Sequence, residues 1–407
     1  MFKTTRDIDN LLKKHDSYRE GCLNLIASEN FASEKVRSYL TCDLGNRYGC
    51  YATENPAERE YSGNKYIHEI EMATQELVKD IFKADYVDLR PIGGHMAGMS
   101  VVLGLLEPGD QVIEVSLSDW GHGLVGPMCQ VRQFDETINV AYMAFDENRA
   151  VDVEKLKVQA RDLKPKMIIF GGSGTLFPEP VKDLRLLADE LNILIAYDAS
   201  HVTGLIANRV FPNPLNEGAD IMFGSTHKSF PGPQGGFVAS NRHDLMVKVG
   251  NTLSPSLVTS HHLNRLPALA ASILEMKEYG EDYANQVVNN AKALAAALAD
   301  LGFNVQGKGK GYTESHLLLM ELGDYVDTAP GKLLEQAGIL CSDDFSGSSP
   351  EVRIGTPEVT RKGMKEAQMT VVADFFKRAL MDKEDPDDLA REVEAFARQF
   401  NGIAYSF

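Results

Sequence analysis

Apolar residues in the middle of the chain alternate between short continuous runs and helix-spaced patterns. Helical spacing predicts helices over 153–163 and 182–191, between the runs. Short strands that are apolar on both faces and separated by helices are typical of a mostly parallel sheet covered on both sides. Ligands of such sheets bind beyond the carboxyl ends of the strands. The runs that predict these strands are "QVIEVS", "KMIIFGG", "ILIAYD", "ADIMFG" and "GFVAS".

The N-terminal segment "MFKTTRDIDNLLKKHDSYRE" alternates charged residues with Leu and Ile, which predicts an amphipathic helix or arm. It lacks the apolar core of a signal peptide, so export is not expected. Further on, a helix is predicted with its apolar face at Tyr66, Ile70, Ala73, Leu77 and Ile81.

From about residue 260 the pattern changes to long helices, including an Ala-rich one over 283–301. A strand at "SHLLLMEL" and more helices follow, which indicates a smaller α+β region. These later helices are predicted near 329–338, 358–381 and 387–400.

Composition excludes several classes of protein. The net charge of −17 over 407 residues disfavours nucleic acid and anionic membranes as partners, because their phosphates would be repelled. No apolar run approaches the roughly 20 residues that span a bilayer. The cysteine number is odd and there is no CxxC pair, which argues against a disulfide framework and a zinc site and predicts reduced thiols in a cytoplasm. The cysteines are Cys22, Cys42, Cys50, Cys129 and Cys341.

Polar residues stand where the predicted strands end. Asp198 closes "ILIAYD" and His201 follows it, while Lys228 lies in "STHKSFPGPQGG" after another strand. Taken alone, Asp198 is either a helix cap or a buried anion that awaits a cation, and Lys228 is an ordinary surface charge. However, hydroxyl residues and a glycine-rich loop surround Lys228, which suits a Schiff-base lysine with a phosphate held nearby. These hydroxyl residues are Ser225, Thr226 and Ser229.

Other candidates are weaker when taken singly. Gly93 and Gly94 open a helix, either as a simple turn or as a phosphate cradle. His122 and Ser173 also follow strands. Arg353 is either a surface cation or a two-pronged ligand for a substrate carboxylate. Together the set matches the needs of pyridoxal phosphate: a Schiff-base amine, a carboxylate for the pyridine nitrogen and an anion pocket.

The motifs in order resemble the serine hydroxymethyltransferase family over nearly the whole chain. The resemblance implies an α/β enzyme of fold type I that depends on pyridoxal phosphate, with a mostly parallel seven-stranded sheet. It implies an N-terminal helical arm over 1–30, a large cofactor-binding domain over 31–275 and a small α+β domain over 276–407. The motifs that carry the resemblance are "LNLIASENFAS", "YIHEIE", "LLEPGD", "KPKMIIFGG", "YDASHVTGLIA", "FPNP", "STHKSFPGPQGG" and "VRIGTPEVTRKGMKEA".

The resemblance also implies roles for individual residues. Lys228 would hold the cofactor, Asp198 would keep the pyridine nitrogen protonated and His122 would stack on the ring. The catalytic set would be Lys228, His122, His201 and Tyr61. The other implied cofactor-binding residues are Ser173 and His201 beside the ring hydroxyl, Gly93, Gly94, His95 and Ser225 around the phosphate, and Tyr48, while Arg353, Ser28 and Tyr61 would bind the amino acid.

The family further implies a homodimer with shared active sites, because Tyr48 and Tyr61 resemble tyrosines that reach in from the partner subunit. Whether dimers pair into tetramers stays open.

The folate-binding groups of the family are changed in this sequence. The segment between the two tyrosines is about three residues longer than in folate users, and Cys50 stands at the position of their glutamate. Glu54, Glu58 or Glu60 could replace that glutamate, although Glu60 itself occupies a pterin-stacking position. The loop "DDFSGSSPEV" before Arg353 is also shorter than the loop that contacts folate.

The phosphate pocket and its surroundings differ as well. The Ser-Gly-Ser of the family is Gly93-Gly94-His95, and His95 could donate to phosphate in place of a serine. Trp120 replaces a glycine beside His122, which should narrow or reshape the pocket. The other departures are Gln234 in "GPQGG" and Thr259 and Ser260 in the turn that the partner would supply.

The retained and altered groups favour an enzyme that breaks and forms the Cα–Cβ bond of serine, threonine or glycine by aldol chemistry without folate. One alternative is a true serine hydroxymethyltransferase with an unusual pterin, as in archaeal relatives. Another is different Cα chemistry, such as methylation from S-adenosylmethionine or racemisation. A non-enzymatic binding subunit is disfavoured, because such a scaffold has no need of a buried amine beside a buried acid.

Overall fold

The chain alternates strands and helices over most of its length. The computed structural model describes residues 2–132, 138–323, 325, 330–343 and 350–407. Two of the sequence features above lie outside the described part: the side chain of Cys129, and positions 344–349 of the loop before Arg353. The strands are β1 (Leu23–Asn24), β2 (Tyr86–Asp88), β3 (Gln111–Glu114), β4 (Asn139–Tyr142), β5 (Met167–Phe170), β6 (Leu194–Asp198), β7 (Ile221–Ser225), β8 (Gly236–Ser240), β9 (Asn304–Val305), β10 (Leu317–Glu321), β11 (Ile339–Leu340), β12 (Ser342–Asp343) and β13 (Glu351–Gly355).

The helices match most of the predicted segments. The N-terminal helix and the helices predicted at 153–163 and 182–191 are present as α1, α6 and α7. The α-helices are α1 (Thr5–Glu20), α2 (Glu34–Tyr39), α3 (Lys65–Phe82), α4 (Gly94–Leu105), α5 (Val125–Arg132), α6 (Val153–Leu163), α7 (Val181–Leu191), α8 (Thr203–Ala207), α9 (Pro214–Glu217), α10 (His243–Asn251), α11 (Arg265–Asp300), α12 (Pro330–Gln336), α13 (Pro357–Arg361), α14 (Glu366–Leu380) and α15 (Pro386–Ala397).

The chain divides into two compact units. The central unit comprises residues 30–285 and 405–407, and the terminal unit comprises residues 1–29 and 286–404. The division falls within α11, so both units contain part of that helix. Within the described residues, no helix combines the length and apolar character needed to cross a membrane.

The central unit is built on a sheet with the order β2-β8-β7-β6-β5-β3-β4. Strands β4, β3, β5, β6 and β7 run parallel to one another, whereas β8 is antiparallel to both β7 and β2. The seven strands seen in the described residues confirm the mostly parallel sheet. Strands β2 and β4 were not predicted, because both are short and partly exposed at the sheet edges.

Helices α4 and α10 pack on this sheet and bury a continuous apolar cluster. Ala97, Val101 and Leu105 of α4 lie against strand residues such as Ile169 and Phe223. Each fully buried Val, Leu, Ile or Phe side chain of the cluster stabilises the fold by about 1.5–3 kcal/mol. The cluster therefore fixes the start of α4 relative to the ends of β6 and β7, where the candidate residues lie.

Helix α3 is present, but its predicted apolar face is wrong by one residue. The buried side chains include Ile67, Glu71 and Val78, whereas Tyr66 is exposed. The error arises because Glu71 is buried in a set of polar contacts, so a charged residue occupies the centre of the buried face. Periodicity alone counts such a position as polar and shifts the face.

The terminal unit contains a small antiparallel sheet with the order β12-β13-β10-β9 and a parallel pair, β1 and β11. Its core includes side chains from α11, α12, α14 and α15. The strand predicted at "SHLLLMEL" is β10, and it pairs along its whole length with β13. Arg353 lies in the middle of β13.

Candidate active site

The ends of neighbouring strands bring the central candidates together. Asp198 is the last residue of β6 and Ser225 the last residue of β7, while Ser173 and His122 follow β5 and β3. These four strands are parallel neighbours in the sheet, so their carboxyl ends lie at the same edge. This is the position expected for a ligand site in an open α/β sheet.

Asp198 is a buried carboxylate with defined partners. Its side chain is 4% exposed, Oδ2 lies 2.5 Å from His122 Nδ1, and Oδ1 accepts a hydrogen bond of 2.9 Å from the backbone N–H of Ser200. Burial opposes its ionisation, but His122, Lys228 and Ser200 together lower the pKa of Asp198 to about 2. Asp198 is therefore ionised at neutral pH. His201 is buried in the turn that follows.

The two histidines form a chain of contacts with Asp198. His122 Nε2 lies 3.2 Å from His95 Nδ1, and the two ring centroids are 5.2 Å apart. Because an ionised carboxylate only accepts hydrogen bonds, His122 Nδ1 carries the proton in its contact with Asp198. Burial and the neighbouring His122 both lower the pKa of His95. His95 is therefore biased towards the neutral form, which can accept a proton.

The segment that carries Lys228 is fixed through its backbone. The side-chain amide of Asn30 donates to the carbonyl oxygens of Lys228, at 2.8 Å, and Ser229, at 3.2 Å. Lys228 is half-buried. Burial and the charge of Lys228 lower the pKa of His227 to about 4, and the same charge lowers the pKa of Asp198. Lys228 is therefore electrostatically coupled to Asp198, as a cofactor-binding lysine would be.

The start of α4 forms a cradle beside these groups. A Cβ added to Gly94 would lie 2.3 Å from Ser225 Oγ and 2.7 Å from Ser200 Oγ, so only glycine fits there without displacement of the hydroxyls. Both serines are buried. The first N–H groups of an α-helix lack intrahelical acceptors and favour anions. Ser225 was predicted from the sequence, whereas Ser200 was not; its signal was a hydroxyl between Asp198 and His201.

Trp120 links the loop after β3 to the loop after β5. Its carbonyl oxygen accepts hydrogen bonds from the backbone N–H of Ser173, at 2.7 Å, and from Ser173 Oγ, at 3.0 Å. Its φ of 59° lies in the left-handed region that favours glycine. The side chain is buried, and a Cβ on Gly174 would lie 2.4 Å from Trp120 Cβ. Trp120 therefore packs on the Ser173 loop. Its own backbone adopts an unusual conformation two residues before His122.

Tyr48 and Tyr61 lie on the surface of the central unit. They are 48% and 51% exposed, and their rings meet edge to face with centroids 5.0 Å apart. Tyr48 Oη lies 3.5 Å from Thr259 Oγ1, and Ser260 Oγ accepts from the backbone N–H of Gly49 at 3.3 Å. The structure thus brings together residues that the resemblance assigns to a neighbouring subunit's site.

The segment between these tyrosines is anchored at two points by Glu71. Tyr51 donates to Glu71 Oε1 at 2.8 Å, Arg59 forms a buried ion pair with Glu71, and His261 Nε2 lies 3.0 Å from Glu71 Oε2. Burial opposes the ionisation of Glu71, but His261, Arg59 and Tyr51 lower its pKa to about 2. This anchor was not predicted from the sequence, because it depends on the burial of a glutamate and on a contact with the distant His261.

The three glutamates considered as replacements for the family's glutamate are exposed. Glu54 Oε2 lies 2.9 Å from His243 Nε2, and Glu58 Oε1 accepts from Asn55 at 3.4 Å. Cys50 is half-buried. Gln234, the replacement in the glycine-rich loop, is also exposed.

In the terminal unit, the end of the strand that carries Arg353 packs on the segment before Ser28. The guanidinium of Arg353 is buried, and burial lowers the pKa of Arg353 to about 9. At the end of the same strand, Gly355 N donates to Leu25 O at 2.7 Å. A Cβ on Gly355 would lie 2.3 Å from Ala27 Cα, so this strand end packs directly on the residue before Ser28. Within this unit the strand of Arg353 is thus attached to the segment that leads into Ser28.

The groups of the central unit fit pyridoxal phosphate. The cradle at Gly94 offers backbone and hydroxyl donors to a phosphate, Asp198 supplies an ionised carboxylate, and Lys228 supplies an amine coupled to that carboxylate. This donor set combines an anion site with a Schiff-base lysine and a partner for a pyridinium nitrogen.

Comparisons with known proteins identify the family of the chain. A family model described as serine hydroxymethyltransferase matches residues 1–376. The serine hydroxymethyltransferase of Pyrococcus furiosus is 40% identical to this chain, over 100% of this chain and 98% of that protein. The serine hydroxymethyltransferase of Archaeoglobus fulgidus is 39% identical, over 98% of this chain and 92% of that protein. The crystal structure of L-threonine transaldolase from Pseudomonas fluorescens in the internal aldimine state is similar, with a TM-score of 0.90 and 31% identity over 98% of this chain and 93% of that one. The chain belongs to the serine hydroxymethyltransferase family and is an enzyme that depends on pyridoxal phosphate.

Proposed function

We propose that this enzyme cleaves and forms the Cα–Cβ bond of small β-hydroxy amino acids by aldol-type chemistry without folate. The observation that carries the proposal is the contrast between two parts of the central unit. The cluster of Asp198, His122 and the Gly94 cradle is complete, whereas position 50 carries a half-buried cysteine instead of a carboxylate. Cofactor chemistry is thus retained and a group that folate users need is absent.

The cofactor is held by residues at the sheet edge. When bound, pyridoxal phosphate withdraws electrons from the bond that is broken at Cα. Lys228 holds the cofactor covalently, and the start of α4 with Ser225 binds its phosphate. Asp198, which stays ionised at neutral pH, keeps a proton on the pyridine nitrogen. His122 is assigned to stacking on the cofactor ring, and His201 and Ser173 are assigned to positions beside the ring hydroxyl.

The substrate carboxylate is assigned to Arg353 and Ser28. Burial penalises the charge of the Arg353 guanidinium, and a bound carboxylate offsets that penalty through two parallel hydrogen bonds. Two-pronged binding also fixes the orientation of the amino acid, which decides the bond that is broken. Ser28 supports this role because its turn packs on the end of the Arg353 strand.

Proton transfer at the substrate hydroxyl is assigned to the pair His122 and His95. His122 Nδ1 is committed to Asp198, so Nε2 is the atom free to exchange a proton with His95 Nδ1, 3.2 Å away. The lowered pKa of His95 favours its neutral, proton-accepting form. Tyr61 and Tyr48 are assigned to the site of a second subunit, which makes the enzyme a homodimer; their exposure on the central unit supports this assignment.

A serine hydroxymethyltransferase that uses an unusual pterin is the second candidate. It is favoured by 40% identity to the Pyrococcus furiosus enzyme over the whole chain. The first candidate is favoured by the similarity to a threonine transaldolase and by the exposed carboxylate of Glu60 at a pterin-stacking position. A folate already carries negative charge, so a carboxylate at that position repels it.

The decisive experiment incubates the purified holoenzyme with serine, threonine or glycine and a panel of aldehydes. Each mixture is prepared without pterin, with tetrahydrofolate and with tetrahydromethanopterin, and the products are identified by mass spectrometry. We expect aldehyde release from threonine and transfer to an added aldehyde in all three conditions. Strict dependence on a pterin would overturn the folate-independent assignment in favour of the second candidate.

A Lys228→Ala variant is the matched control for background chemistry by free cofactor. It should form no product above that of pyridoxal phosphate alone. If glycine exchanges its Cα proton with deuterated solvent but no aldehyde is released or consumed under any condition, the aldol assignment is wrong.

A further inference from the structure

We propose that the hydroxyl of Ser200 is a ligand of the cofactor phosphate. It would replace a serine hydroxyl that the family has, and this chain lacks, at residues 93–95. This inference rests on the proposed function only in placing the phosphate at the start of α4. It adds a binding residue that neither the sequence motifs nor the family resemblance assigns.

The first observation is a buried hydroxyl that has no partner. Ser200 is 1% exposed, and within the part of the chain that the structure describes its Oγ has no partner at full hydrogen-bond geometry, although the hydroxyl is close enough to Asp198 to help lower the pKa of that carboxylate. Buried polar groups are nearly always hydrogen-bonded, and exceptions in a folded protein often mark a site for a ligand or an ordered water. Ser200 is therefore a donor whose acceptor remains to be bound.

The second observation is the direction of that hydroxyl. Ser200 Oγ and Ser225 Oγ lie 2.7 and 2.3 Å from the single point that a Cβ on Gly94 would occupy. Two hydroxyls thus converge on the first residue of α4, a helix of 12 residues. Its N-cap residue, Gly93, has no side chain with which to cap the helix, so the first N–H groups are available to an external acceptor.

The third observation is the way in which Ser200 is held. Its backbone N–H donates to Asp198 Oδ1 at 2.9 Å, so one turn fixes both residues. In this arrangement the two ends of the cofactor, the pyridine nitrogen and the phosphate, are bound by residues two positions apart. Preorganisation of this kind lowers the entropy that is lost on binding.

The composition of the cradle explains the need for Ser200. Gly93, Gly94 and His95 stand where the family has Ser-Gly-Ser, so two hydroxyls are absent. His95 is directed towards His122 through Nδ1. Ser200 and Ser225 together restore two hydroxyls to the same pocket.

The test measures binding by apoenzyme, which requires no turnover. The only tryptophan of the sequence, Trp120, is buried two residues before His122 and reports occupation of the site by its fluorescence. Wild type, Ser200→Ala and a control variant, Ser100→Ala, are titrated with pyridoxal phosphate and with pyridoxal, which lacks the phosphate. Ser100 is an equally buried serine of α4 whose hydroxyl donates to Ala97 O, so its removal tests for general damage to the helix.

We expect Ser200→Ala to raise the Kd of pyridoxal phosphate by about ten- to a hundredfold, as for the loss of a hydrogen bond to a charged group, with the Kd of pyridoxal unchanged. Equal losses for both compounds would place the hydroxyl at the ring rather than at the phosphate and would overturn the proposal. An unchanged Kd of pyridoxal phosphate would also overturn it.

Thermal unfolding of the apoenzyme gives an independent readout. Because Ser200 Oγ has no partner in the described structure, Ser200→Ala should leave the Tm of the apoenzyme unchanged or raise it. Inorganic phosphate should raise the Tm of wild type more than that of the variant. A variant apoenzyme that is less stable than wild type, with equal response to phosphate, would identify Ser200 as a purely structural residue. Since none of these measurements uses the reaction, a failure of the aldol assignment leaves them interpretable.

Discussion

Asp198 Oδ2 lies 2.5 Å from His122 Nδ1, and this contact joins the end of β6 to the loop that follows β3. The carboxylate is ionised because His122 and Lys228 compensate for its burial. The group proposed as the partner of a pyridinium nitrogen is thus already charged and oriented by the protein. The contact also makes the stability of the central unit dependent on pH.

The first prediction concerns this pH dependence. The pKa of Asp198 is lowered from 3.8 to about 2, so its ionised form contributes stability above about pH 4, and the contribution is lost as pH falls towards 2. The contribution at neutral pH is on the order of 2 kcal/mol. Asp198→Asn apoenzyme should therefore have a lower Tm than wild type at pH 7 and a shallower decline of Tm between pH 4 and 2. Parallel curves for the two proteins would contradict the assigned pKa.

The second prediction concerns Lys228. Lys228→Ala protein should lose the yellow colour of the reconstituted enzyme after gel filtration, because the covalent link to the cofactor is removed. Lys248→Ala, at an exposed position of α10, should keep it. The measurement is the visible absorption spectrum of each protein. A stable yellow Lys228→Ala protein would show that another amine holds the cofactor.

The third prediction concerns Arg353. Arg353→Lys should raise the dissociation constant of glycine by at least about tenfold, because a lysine makes no planar two-pronged contact with a carboxylate. Spectral titration of the holoenzyme measures this constant, and the spectrum without amino acid should not change. Glycinamide, which has no carboxylate, is the internal control. If its affinity falls as much as that of glycine, Arg353 acts on the site as a whole rather than on the carboxylate.

The fourth prediction concerns the backbone of Trp120. Replacement by Gly or Ala removes a large buried side chain and should lower the free energy of unfolding by about 3–5 kcal/mol. Because φ is 59°, the glycine variant should be more stable than the alanine variant by about 1 kcal/mol. At Val101, a buried position within α4, the order should be reversed. Urea unfolding of the four variants decides the order, and equal stability of the Trp120 pair would show that the strain is relieved elsewhere.

The fifth prediction concerns Glu71. Glu71→Gln removes the charge that balances Arg59 and should destabilise the fold by about 3–5 kcal/mol, since a buried cation loses its partner. The segment between Tyr48 and Tyr61 should also become easier to cleave in limited proteolysis. Glu69→Gln, a charge change on an exposed turn of α3, should alter neither property. Unchanged proteolysis of the first variant would mean that the segment is held by other contacts.

The sequence predicted the features that are local along the chain. Strands β6 and β7 and the residues at their ends follow from short apolar runs that finish in Asp198 and Ser225. Spacing could not reveal the contact between His95 and His122, because it depends on the order of strands in the sheet. The buried face of α3 was misplaced for a similar reason, since Glu71 is buried by Tyr51 and Arg59 of the preceding loop and by the distant His261. Ser200 could not be predicted as a binding residue, because the lack of a hydrogen-bond partner for its hydroxyl is seen only in the folded structure.

The double attachment of the loop to Glu71 has a consequence for divergence within the family. Tyr51 and Arg59 hold the loop just inside its two tyrosines, and the residues between them are exposed except for Pro56, which is buried. Extra residues inserted there are absorbed by this exposed stretch, and the flanking aromatic rings keep their places. The length of this loop can therefore diverge among relatives without loss of its two attachment points on α3.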